Sequence, residues 1–342
     1  MTKNEPINAR GIVITMEQVA RFAPVIYFHP QEKYWPCRIE DILNKATLKD
    51  RNHQVIVPRP TQDHLKEHYN DGSYLDIDPA IFTGVPPTDG QINVPIYVAV
   101  QVPESKSYID LRFIFLSAYN GPQTARVLVW CNDFNCQLET YAEHQGDIEG
   151  MTVRVDPDFQ KIQQVIYEAH GEPRVYRTEE VDFEGDTHPI ARCAYNSHAT
   201  YNGKEKKDDD WITLESYSLL GWGADFIDII HCQGPVWRPF AYDSSGRTIL
   251  NDKLIFVGLK IDGEPINGEN WAKFEGTIGA VQTNDFKKAN GIGEPLRRRQ
   301  ENYVNSLVGV AKILGLIPEK YKIGHPTGGL GGRDYIHLPP EE

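Results

Sequence analysis

The sequence predicts a mainly β fold, a β-sandwich with peripheral helices and long loops, on three observations. Short apolar segments recur between residues 94 and 195, each bounded by turn residues, which is the spacing of consecutive short strands. Several of them alternate with a period of two, as a strand requires. Only one stretch, 295–316, sustains a helical period. An α+β arrangement is the alternative. The length of 342 residues fits a single domain of this kind. We expect one β-sandwich domain over 1–342, with an N-terminal helical and loop decoration (1–93) and a C-terminal helix and tail (295–342).

Residues 16–23 read as a short helix, with Thr15 as N-cap and Val19, Ala20 and Phe22 turned inward. Pro24 ends it, and 25–28 reads as a buried strand. Residues 51–95 are polar and rich in Pro, Gly and Asp, which predicts a long decorated loop. Val94, Ile96, Val98 and Val100 then alternate with Pro95, Tyr97, Ala99 and Gln101. Strands are expected at 108–119, 124–130, 151–155, 164–168, 190–195 and 254–261. In the helix 295–316, Tyr303, Leu307, Val308, Ala311 and Leu314 share one face, the usual signal of packing on a core. The glycine-rich stretch 324–332 lacks the G-x-x-x-x-G-K-[ST] pattern and reads as a loop.

Composition excludes several functions. The formal charge of −13 argues against nucleic acid, whose binding rests on neutralising phosphates with Lys and Arg. The one basic run, Arg297-Arg298-Arg299, is too short to reverse that. No window approaches the roughly 18 apolar residues of a membrane span, so no stable membrane insertion is expected. The N-terminus lacks the apolar core of a secretory signal. The five cysteines have no zinc-type spacing and read as free thiols of a reducing compartment. A cytoplasmic protein without a nucleotide cofactor is the expectation.

The chemistry concentrates in Glu143-His144-Gln145-Gly146-Asp147-Ile148-Glu149. Asp147 and Glu149 are two apart, so on a strand both carboxylates leave the same face, which Met151 and Val153 continue. Such a pair beside apolar residues needs a neutralising partner. His144, in the preceding turn, can swing over it, and one imidazole with two carboxylates suits Mg²⁺, Mn²⁺, Ca²⁺ or Fe²⁺. His144, Asp147 and Glu149 are thus the candidate metal ligands. His170 and His198 each follow a predicted strand and could converge on the same rim. With Asp147 and Glu149 they are the candidate catalytic residues, a metal-free acid–base version included.

The order Glu143-His144-x-Gly146-Asp147-x-Glu149, His170-Gly171, Asn196-Ser197-His198-Ala199-x-Tyr201 resembles the vacuolar protein sorting-associated protein 62 family. Arg21-Phe22-Ala23-Pro24-Val25, Glu32-Lys33-Tyr34-Trp35-Pro36 and Tyr119-Asn120-Gly121-Pro122 add to the resemblance, which spans about residues 17 to 245. The central motif is also similar to the G-H-R-H-D-W-E heptapeptide of necrosis- and ethylene-inducing-peptide-like proteins. That likeness implies a β-sandwich with a divalent cation held by His144, Asp147 and Glu149. Gly146 stands where the heptapeptide has the His adjacent to its Asp, and Ile148 replaces its Trp.

The C-terminal half is rich in aromatic residues. Trp211, Trp222, Trp237 and Tyr201 are the candidates for lining a pocket for an apolar small molecule. The resulting expectation is an intracellular enzyme acting on a small organic molecule, of cyclase, isomerase or lyase type in specialised metabolism. The alternative is a cation-dependent lipid- or sugar-binding module without catalysis.

Overall fold

The computed structural model describes residues 6–129, 132–139, 141–204, 210–219, 222–261, 267–280, 282–283, 288–292, 295–313, 323–324 and 327–328. The first helix, Met16–Ala20, forms where the sequence dictates. Thr15 Oγ1 accepts from the Gln18 amide at 3.2 Å, and Gln18 Oε1 accepts from the Thr15 amide at 2.8 Å, a reciprocal cap. Met16, Val19 and Ala20 are buried beneath it.

The central layer is an eight-stranded, largely antiparallel sheet. Its order is Glu172–Arg177, Ile162–Ala169, His144–Val155, Ile109–Asn120, Ile96–Val102, Leu254–Ile261 and Asn267–Gly268, with Pro36–Cys37 pairing onto Ile109–Asn120. Both faces are covered, which explains the near-continuous apolar runs of its middle strands. Ile96, Val98, Val100, Leu111, Phe113, Phe115, Met151 and Val153 point into one core. Tyr97, Ala99, Ile114, Leu116 and Ile148 point into the other.

The first core is closed by a second sheet, in which Val25–Tyr27 lies between His188–Cys193 and Val236–Trp237, with Thr200–Asn202 on the far side of His188–Cys193. Trp237 is fully buried there against Phe28 and Phe115, and its Nε1 donates to the Val94 carbonyl oxygen at 3.0 Å. A further sheet, ordered Asp210–Leu219, Trp222–Ile230, Gln123–Val129, Asn132–Leu138 and Ala289–Gly291, carries the helix Arg298–Ile313. Tyr303, Leu307 and Val308 of the predicted apolar face pack against it; Ala311 and Leu314 lie outside the described side chains. The mainly β, sandwich-like architecture is the one the sequence predicts.

One local expectation changes. Residues 51–95 are not a plain loop: they contain Val55–Pro58, the helix Gln62–Glu67 and Tyr74–Ile77. Sparse anchors, Leu65, Leu75 and Ile77, bury these pieces on the second core despite their polar surroundings. The strand expected at 254–261 forms as Leu254–Ile261, pairing in parallel with Ile96–Val102 and flanked by Asn267–Gly268.

Candidate functional site

The strand His144–Val155 is built around Gly146. With φ of 62°, that residue occupies the left-handed region, and a Cβ there would collide with the Ile278 carbonyl oxygen. No side chain fits, histidine included. His144 is the first residue of the strand and not part of a preceding turn, and it faces away from the carboxylates: its Nδ1 lies 2.9 Å from the Gly146 carbonyl oxygen. From Asp147 onward the strand runs regularly, Asp147 opposite Ser117 and Glu149 opposite Phe115.

Asp147 meets His198. The imidazole is fully buried, with Nδ1 2.9 Å from Asp147 Oδ2 and Nε2 2.7 Å from the Tyr34 carbonyl oxygen. Both partners only accept, so both ring nitrogens carry hydrogen and the ring is an imidazolium. Glu32 Oε1 stands 3.7 Å from Nε2. That carboxylate accepts from the amides of Lys33, Tyr34 and Asn196, each at 2.8 Å. Burial opposes the charge on His198, yet Asp147 and Glu32 lift its pKa to about 10. Burial likewise opposes ionisation of Glu32, but His198 and the backbone donors hold it below the usual carboxylate range.

A second pair lies alongside. His170 occupies the first position of the two-residue turn joining Ile162–Ala169 to Glu172–Arg177, where its φ of 53° and that of Gly171 at 78° suit a tight hairpin. Its Nε2 donates to Asp228 Oδ2 at 2.7 Å. Tyr201 Oη donates to the same oxygen at 2.7 Å, and Ser197 Oγ to Oδ1 at 2.8 Å. Burial pulls the His170 pKa down, but Asp228, with Glu149 and Asp147 beyond it, raises it to about 9. Ser197 donates to the carboxylate and not to the imidazole, so the three do not form a nucleophile triad. The buried Cys193 thiol is pushed up by burial, then by Glu32, Glu149, Asp147 and Asp228, which places these carboxylates in one neighbourhood.

Of the five polar residues that the sequence sets at one rim, Asp147, Glu149, His170 and His198 converge; His144 turns to a backbone carbonyl. The arrangement does not fit a divalent cation held by His144, Asp147 and Glu149. Asp147 already accepts from His198, and among the described residues no three His, Cys, Asp or Glu side chains gather as a metal ion requires. Two members escape the sequence reading. Glu32 lies far away in the chain. Asp228, a lone acid in Phe226-Ile227-Asp228-Ile229-Ile230, carries a detectable signal, since a charge in an apolar strand needs a buried partner.

The three described aromatic candidates lie in different surroundings. Trp237 is core, Tyr201 is buried on Asp228, and Trp211 is 40% exposed beneath Arg126, whose guanidinium carbon lies 4.6 Å from the ring centroid. The Trp222 side chain lies outside the described residues.

A solved structure of necrosis and ethylene inducing protein 2, from the causal agent of cocoa's witches' broom disease, covers 70% of this chain and 72% of its own at 12% identity. Its TM-score of 0.26 is too low to support an argument. The vacuolar protein sorting-associated protein 62 of Saccharomyces cerevisiae is 23% identical over 321 residues, which cover 82% of this chain and 62% of the relative. The family model for vacuolar protein sorting-associated protein 62 matches residues 12–207. These matches overturn two expectations. Their names concern vacuolar protein sorting and not a cyclase, isomerase or lyase of biosynthesis, and they point to the vacuole in place of the cytoplasm. The resemblance seen in the motifs therefore holds across more than half of the chain, which belongs to the vacuolar protein sorting-associated protein 62 family.

Proposed function

We propose that this chain acts in vacuolar protein sorting as a binding module, its His/carboxylate network serving as an internal brace. The observation that carries the second part is His198, fully buried and donating from both nitrogens to acceptors. A general acid or base works best with a pKa near the operating pH. Here the imidazoles are held protonated to about 9 and about 10, and Glu32 and Asp228 are held ionised. Groups tuned so far apart act as ion pairs. The sorting role is suggested by the family name and the yeast relative's name.

An enzyme acting on a small organic molecule is the second reading, favoured by one observation. The His170 side chain is 39% exposed, so a ligand could reach it. The test is to delete the gene in its host and follow a fluorescent reporter destined for the vacuole. Mis-sorting that is restored by both the wild type and His170→Gln supports the binding module. Normal sorting in the deletion strain sinks the sorting role. Failure of a folded His170→Gln to restore sorting would favour the enzyme.

A further inference from the structure

A cleft of about 930 Å³ opens away from the His/carboxylate network, between the helix Met16–Ala20 and the hairpin Phe240–Tyr242/Thr248–Leu250. Its floor is His188, which ties the two walls together. His188 Nδ1 donates to the Ala23 carbonyl oxygen at 2.7 Å, just past the helix. Its Nε2 accepts from Thr248 Oγ1 at 2.7 Å, on the hairpin. The ring stacks on Phe240 with centroids 3.7 Å apart. Nearby, Arg238 holds Glu184 through three contacts of 2.6–2.9 Å, and Tyr242 Oη lies 3.4 Å from the same carboxylate. The cleft is therefore held open by bonds already made, and a ligand loses little in ordering it.

Its lining has a distinct chemistry. Arg21 and Arg247 supply two positive charges and Glu17 and Asp186 two negative ones; Arg247 also pairs with Asp243 at 3.0 Å, just outside the lining, so the cleft carries no net positive charge. That balance suits neither a nucleotide nor a phosphorylated headgroup, which call for net positive surroundings. Tyr242 and Ile249, 44% and 40% exposed, are among the few large apolar side chains of the described residues left open to solvent, and both line this cleft.

We propose that this cleft binds an extended peptide segment carrying an acidic and a basic side chain around an apolar one. The apolar group packs on Tyr242 and Ile249, the acidic side chain pairs with Arg21 or Arg247, and the basic one with Glu17 or Asp186. The inference rests on the sorting reading and names the surface and the class of partner.

Fluorescence anisotropy with the full chain tests it. The probes are fluorescein-labelled hexapeptides bearing one Asp, one Leu and one Lys in every order on a Gly/Ser background. Some orders bind, and binding is lost when any one of the three is replaced by Ser. Arg247→Glu and Ile249→Ser each weaken it about tenfold, whereas Val175→Ser, an exposed apolar residue elsewhere, leaves it unchanged. No binding by any probe, or equal binding by the cleft variants, overturns the proposal. So does displacement of the peptides by phosphatidylserine vesicles, which would assign the cleft to a lipid surface. The reporter assay separates the two failures. Normal sorting by Arg247→Glu and Ile249→Ser, in a host whose deletion strain mis-sorts, removes the cleft and leaves the sorting role.

Discussion

His198 and Gly146 show how tightly single residues are committed here. Removing one member of a buried ion pair leaves the other charge uncompensated, which costs about 3–5 kcal/mol. Asp147→Ala should therefore lower the unfolding free energy by about that amount, because His198 then keeps its charge with one acceptor lost. Urea denaturation measures this; a loss below about 1 kcal/mol would mean that the pair does not brace the fold. Gly146→Ala should also destabilise. The left-handed conformation alone costs about 1–2 kcal/mol for a residue with a Cβ, and the Ile278 carbonyl stands in the way. A melting temperature equal to the wild type's would contradict this packing. These residues also mark the limit of sequence reading. Asp147 and Glu149 were legible from their spacing, and His170 and His198 from their place after strands. Glu32 stood out only as part of the family-like segment Glu32-Lys33-Tyr34-Trp35-Pro36, and nothing in that segment shows that it faces His198, far along the chain.

At the level of elements, strands with alternating patterns were legible and their partners were not. The sequence shows that 25–28 is a buried strand, but not that Val25–Tyr27 lies parallel to His188–Cys193. Long-range pairing depends on which apolar faces remain uncovered once the central sheet has formed. The same contact has a consequence for pH. Burial lowers the His188 pKa, against the opposing pull of the Ala23 carbonyl and of Glu184. The folded protein thus favours neutral His188, whereas the unfolded chain protonates it near about 6.5. Its contribution is complete above that value and is lost as pH falls through the lower, folded pKa. Urea midpoints measured from pH 7.5 to pH 5 should fall for the wild type and fall less steeply for His188→Gln. Parallel slopes would show that His188 is not responsible.

At the level of the whole molecule, the family match and the physical unit differ in extent. The matched region ends at residue 207, but the cores it contains are finished by later residues. Leu254–Ile261 pairs with Ile96–Val102, so its loss, with that of Asn267–Gly268, would leave Ile96–Val102 as an uncovered edge of the central sheet. Trp237 fills the first core between Phe28 and Phe115, and a large buried aromatic is worth about 3–5 kcal/mol when truncated. Asp228, the partner of His170, lies on Trp222–Ile230, which also pairs with Gln123–Val129. A chain ending at residue 207 therefore loses two strands at one side of the central sheet, a core tryptophan and the counter-charge of His170. Against a net stability of about 5–15 kcal/mol, those losses together should abolish the folded state. We expect the 1–207 fragment to show no cooperative thermal transition and to be degraded by trypsin under conditions that leave the full chain intact. A sharp transition and native-like protease resistance in the fragment would instead make the matched region an independent folding unit, with residues beyond 207 added to a core already complete.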